Sequence, residues 1–103
     1  MALTEITFFE RFEADILAGK KTITIRDESE KHFIKDSHVK VSTYEAGRQF
    51  CEICIQDVQA IQKDQLSDFH AAQENMSLNQ LKQVIDEIYP NVKSLYVISY
   101  QLL

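Results

Sequence analysis

Two glycines and one proline are all the strong backbone punctuation this chain has across 103 residues. Glycine supplies the positive φ of tight turns and helix stops, and proline ends helices, so Gly19, Gly47 and Pro90 each mark an element boundary. The scarcity also removes whole function classes. A Walker loop and a dinucleotide fingerprint both need several glycines at fixed spacing, because backbone amides must approach a phosphate closely. Neither can be built here. The nucleophile elbow G-x-S-x-G is absent as well.

The segments between these marks have clear periodicities. Thr7 to Ala18 reads mostly as helix, after a short strand at Ile6. Phe8, Phe12 and Ile16 recur every four residues, and Thr7 and Glu10 have capping-box spacing. Gly19 then suits a left-handed helix stop. Thr22 to Arg26 alternates as a strand. "HVKVSTY" and "QFCEICIQDVQAI" alternate on either side of a turn containing Gly47, which reads as a hairpin. A helix follows, with Ser77 as cap, Gln80 at the capping-box position and Leu78, Leu81, Ile85 and Ile88 as its apolar stripe. Pro90 stops it, and "SLYVISYQLL" is a C-terminal strand rich in β-branched and aromatic residues. This order predicts a single α+β domain, residues 1–103, with a mainly antiparallel sheet. Strands so few and short are expected to curl into a small barrel with helices packed across its openings.

A hydrophobic fraction of 45% is that of a globular protein. The formal net charge of -5 argues against strong nucleic-acid binding, which depends on neutralising phosphates with Lys and Arg. A pocket for one nucleoside needs no such charge. The N-terminus is acidic where a signal peptide would be basic, and no run approaches the roughly 18 to 20 apolar residues of a membrane span. These features point to a soluble, cytoplasmic protein with no membrane partner; they leave the oligomeric state open.

Cys51 and Cys54 have C-x-x-C spacing but fall on a strand, where residues three apart face opposite ways. A zinc site would need two further ligands, and His32, His38 and His70 are scattered. One cysteine is expected in the core and the other on the opposite face. A zinc nucleoside deaminase needs H-x-E and P-C-x-x-C; none of the three histidines is followed by x-Glu, and no proline precedes Cys51.

What remains is "GKKTITIRD", residues 19–27. A threonine hydroxyl is a weak nucleophile unless a base removes its proton. Lysine can be that base only when neutral, and at its ordinary pKa fewer than about one in a thousand lysines is neutral at pH 7. Burial or a nearby cation such as Arg26 lowers that pKa. In a regular strand, however, positions 21 and 24 face opposite ways. A shared site requires Lys21 to lie in the turn after Gly19. By residue type alone, lysine at a strand start with threonine on its outer face is also ordinary surface.

At these residues the sequence resembles the ASCH domain family, small barrels related to the PUA fold. Gly19, Lys21 and Arg26 match its G-x-K-x-x-E-x-R pattern, while Thr24 stands where the glutamate is usual. That departure, with "ITFFERFEADILAGKKTITIRDESEKHF" and "AAQENMSLNQLKQVIDEIYP", resembles the bacterial N4-acetylcytidine amidohydrolase branch. The resemblance implies Lys21 as proton acceptor, Thr24 as nucleophile, Glu74 as proton donor, and no metal or cofactor. It implies a small nucleoside as substrate. Arg26 is expected to hold the pyrimidine carbonyl or a ribose oxygen, or else to pair with Asp27 or Glu28. His70, four residues before Glu74, is expected either to pair with it on a helix or to lie on the surface. The alternative reading is an RNA- or modified-nucleoside-binding module without catalysis.

Overall fold

The computed structural model describes residues 4–103, so the first three residues of the expected domain lie outside the described residues. The elements are β1 (Glu5–Phe8), α1 (Glu13–Leu17), β2 (Ile23–Arg26), β3 (His38–Thr43), β4 (Gln49–Gln62), α2 (Asp68–Gln73), α3 (Leu78–Ile88) and β5 (Ser94–Leu102), with 3-10 turns at Glu10–Phe12, Glu28–Glu30 and Lys63–Gln65. They form a five-stranded sheet in the order β1-β3-β4-β5-β2. Three of its pairings are antiparallel. The fourth, β1 with β3, is parallel.

The α+β class and the hairpin are as predicted; the sheet, however, is not closed into a barrel. β1 and β2 end the ladder, and among the described residues no backbone pairing joins them. They do approach each other, because the Arg26 guanidinium of β2 donates to the Thr7 carbonyl of β1 at 2.7 Å. A side chain, rather than a ladder, spans the gap.

The segment 7–18 also departs from expectation. Its first residues are the strand β1, and the helix is confined to Glu13–Leu17. The Thr7–Glu10 capping box does not form: Thr7 pairs with Ser42 in the sheet, and the Glu10 N–H donates to Glu45 Oε1. Tertiary pairing overrides local helical periodicity here. Phe8, Phe12 and Ile16 nevertheless meet in one core, reached from a strand, a 3-10 turn and a helix.

Two cores lie on opposite faces of the sheet, and strand register explains the division. Across β2 and β5, Ile25 pairs with Val97 and Thr24 with Ile98, so neighbouring residues face opposite ways. Ile23, Ile25, Leu95 and Val97 pack against Ala71, Leu81 and Ile85 of the helices α2 and α3. Ile98 and Tyr100 belong to the other core, with Ile53, Ile55, Val39 and Val41 of the hairpin and Ile16 of α1. A bulge between Ile55 and Asp57 shifts the parity of β4, so that Val58 packs on the same core as Ile53 and Ile55. With both faces covered, β2 is buried through Ile23, Thr24 and Ile25. Its polar side is therefore interior.

The cap of α3 behaves as read from the sequence. Ser77 Oγ accepts from the Gln80 N–H and the Gln80 side chain accepts from the Ser77 N–H, closing the α3 capping box. Gly19 and Gly47 both have positive φ. Cys51 and Cys54 are both half-buried free thiols, so neither is fully in the core as expected of one of them; Cys51 packs against the hairpin core, and the Cys54 thiol donates weakly to the Ile55 carbonyl at 3.9 Å.

A candidate active site at the gap between the end strands

Lys21 reaches the interior because the chain turns before β2 begins. After α1, Gly19 takes φ +72°. The amides of Lys20 and Lys21 then both donate to the Asp15 carbonyl, at 2.9 and 3.2 Å. From the other side, the Tyr100 hydroxyl donates to the Lys21 carbonyl at 2.9 Å. Regular alternation starts only at Ile23. The turn thus meets the requirement posed by the strand geometry, and Lys21 and Thr24 line the same cavity.

Glu74 arrives from the opposite side as the residue that ends α2. The Thr22 N–H donates to the Gln73 carbonyl at 2.8 Å, tying the end of that helix to the start of β2. Lys21 is 3% exposed and Glu74 4%, and Lys21 Nζ lies 2.5 Å from Glu74 Oε1. Nζ also donates to the Ile23 carbonyl at 3.0 Å. It stands 5.1 Å from the ring centre of Phe12 and 5.6 Å from that of Phe8. Burial pulls the Lys21 pKa below its usual value; Glu74 opposes this, and the Arg26 charge adds to it. The lysine is therefore closer to a neutral amine than a surface lysine would be.

Thr24 is 4% exposed, and its hydroxyl oxygen accepts from Arg26 Nε at 2.9 Å. Arg26 ion-pairs with Glu30 at 3.2 Å rather than with Asp27 or Glu28. Asp27 instead accepts from Ser29, and Glu28 pairs with Lys31. His70 does not pair with Glu74. Its Nδ1 accepts from the Ser67 amide at 3.2 Å and completes the cap of α2.

These side chains open on a cavity of about 270 Å³. Its walls include residues that sequence reasoning did not single out for the site: Phe9, Glu30, Tyr44 and Tyr89, with Val84 and Ile88 of α3. Phe8 and Phe12 were legible only as an apolar stripe, yet their rings lie under Lys21, and Phe8 also lies 4.8 Å from the Arg26 guanidinium. No local pattern marks Tyr44 or Tyr89, because they come from a hairpin turn and the end of α3.

Together these features define a small α+β domain with a preformed cleft of mixed charge at the gap in its sheet. Residues 4–96 match the model of the ASCH domain, and the chain belongs to that family. It is 61% identical over 100 residues, 97% of this chain and 96% of the relative, to an N(4)-acetylcytidine amidohydrolase of Vibrio vulnificus (strain YJ016). It is 54% identical over 103 residues, the full length of both, to an N(4)-acetylcytidine amidohydrolase of Shewanella sp. (strain W3-18-1). The solved ASCH domain of Lactobacillus crispatus JV V101 superposes with a TM-score of 0.79 at 18% identity, covering 98% of this chain and 79% of that one. That likeness is one of fold.

Proposed function

We propose that this chain is an N4-acetylcytidine amidohydrolase, releasing cytidine and acetate without a metal, with Lys21 as base, Thr24 as nucleophile and Glu74 as proton donor. The observation that carries the reading is the desolvated Lys21–Glu74 pair at 2.5 Å, opening on the same cavity as Thr24. The names of the full-length relatives support the substrate.

The pair suits the chemistry because the reaction needs a neutral amine and a protonated carboxyl together. Moving one proton from Lys21 to Glu74 supplies both without changing the net charge of the site. Burial disfavours the charged form of Lys21 and so eases that transfer, while the attraction to Glu74 opposes it. Lys21 then takes the Thr24 hydroxyl proton as Oγ1 bonds to the acetyl carbon. Collapse of the tetrahedral intermediate breaks the bond to N4, and Glu74 gives its proton to that nitrogen. The departing amine is aromatic, with its lone pair drawn into the pyrimidine, which eases its loss. Water then cleaves the acetyl-threonine ester. Arg26 lines the cavity and is the proposed contact for the nucleoside's carbonyl or ribose oxygen.

The test is conversion of N4-acetylcytidine to cytidine in the presence of a chelator, followed by chromatography. The expected result is turnover by the wild type and none by Thr24→Ala or Lys21→Met. Full activity in either variant removes that residue from the mechanism. Binding of the nucleoside with no acetate released would favour a binding module instead.

A further inference from the structure

The Arg26 side chain is fixed at three points. Nε donates to Thr24 Oγ1 at 2.9 Å, Nη1 to the Glu30 carboxylate at 3.2 and 3.3 Å, and Nη2 to the Thr7 carbonyl at 2.7 Å. Its guanidinium carbon sits 4.8 Å from the centre of the Phe8 ring. A planar fork anchored to β1, to the turn after β2 and to Thr24 keeps its Nε–H aimed at one oxygen. We infer that Arg26 is a catalytic residue of the second half of the reaction, donating from Nε to Thr24 Oγ1 as that oxygen leaves the acetyl group. This inference rests on the reading of Thr24 as the nucleophile.

The two half-reactions place different demands on Oγ1. In the first, the bond that must break is the one from the acetyl carbon to N4, and Oγ1 is by then a bonded, uncharged oxygen. A donor beside it contributes little to that step. In the second, water adds to the acetyl carbon and the carbon–Oγ1 bond breaks, with its electron pair passing to Oγ1. Lys21, left as an ammonium by the first half, passes that proton to the Glu74 carboxylate 2.5 Å away; the restored amine takes one proton of the water and delivers it to Oγ1, and the rest of the water leaves as acetic acid, which ionises. Charge gathers on Oγ1 as that bond breaks; in the first half it does so only in the attack that precedes the slower expulsion of N4, when Oγ1 is already bonded. A fixed cationic donor at hydrogen-bond distance stabilises it there more than in the resting enzyme.

The test combines rapid-quench kinetics with intact-protein and peptide mass spectrometry on the whole chain, using N4-acetylcytidine. In Arg26→Gln, cytidine should appear as a burst equivalent to the enzyme, while acetate release falls about 100- to 1,000-fold and an acetyl group accumulates on Thr24. Arg26→Lys keeps the cation and should accumulate less. If Arg26→Gln loses the fold, as judged by circular dichroism, Arg26→Lys carries the test alone. A purely structural role would slow the burst and acetate release together with no acetyl-threonine, and that result overturns the inference. An unchanged rate of acetate release overturns it too. The underlying reading fails separately, through an active Thr24→Ala, whatever the Arg26 variants do.

Discussion

Lys21 and Glu74 illustrate how a buried pair trades stability for reactivity. Each charge loses hydration, and their attraction offsets that cost only while both are present. Lys21→Met alone is expected to destabilise the fold by about 3–5 kcal/mol, because Glu74 is left buried without its partner. Lys21→Met combined with Glu74→Gln should recover most of that loss; urea unfolding of the wild type, the two single variants and the double variant gives the coupling directly. The lowered Lys21 pKa also has a sign in pH. Between the folded-state pKa and the ordinary value of 10.5, the unfolded chain binds the proton and the native chain does not, so stability rises with pH through that window. Below the folded-state pKa both forms are protonated and the full cost of charging the buried amine is present. Unfolding measured against pH should show this rise in the wild type and lack it in Lys21→Met. The same shift places the rise of kcat/KM with pH below 10.5 if Lys21 is the base.

Among the elements, the short α1 and the turn behind it decide where Lys21 goes. A Cβ at Gly19 would meet no neighbouring atom, so Gly19→Ala tests backbone conformation alone. The expected cost is about 1–2 kcal/mol, the penalty of holding an L-residue left-handed. Relaxation of the turn should also lower kcat, since the turn aims Lys21. Ser77→Ala offers the contrast. It removes the α3 cap, at about 1 kcal/mol by thermal unfolding, and leaves the Lys21–Thr24 geometry alone. Equal effects on kcat in the two variants would contradict a positioning role for the turn. Both boundaries were legible from residue type. The helix over 7–18 was misread because a four-residue apolar spacing is satisfied equally by a strand, a 3-10 turn and a helix converging on one core.

At the scale of the whole molecule, the cavity of about 270 Å³ lies where the two end strands approach without pairing. With a formal net charge of -5 around it, a neutral nucleoside has no electrostatic barrier to entry, whereas a polyanion does. The kcat/KM for N4-acetylcytidine is expected to change little between about 50 and 200 mM salt, in contrast to the steep loss of phosphate-based binding. An acetylated cytidine inside an RNA chain should be turned over poorly or not at all. Efficient, salt-sensitive hydrolysis of the RNA substrate would reverse this assignment. Among the described residues no helix is long and apolar enough to cross a membrane.

By itself the sequence determined the elements whose signals are local: the hairpin around Gly47, the capped α3 and the stop at Gly19. These depend on φ preferences, capping chemistry and alternation, which act over a few residues. Tertiary structure decided the rest. It left the sheet open between β1 and β2, set the Arg26 side chain across that gap, buried both faces of β2, and joined Lys21 to a glutamate 53 residues away. Those outcomes depend on register and on which surfaces meet, and no short stretch of chain encodes them.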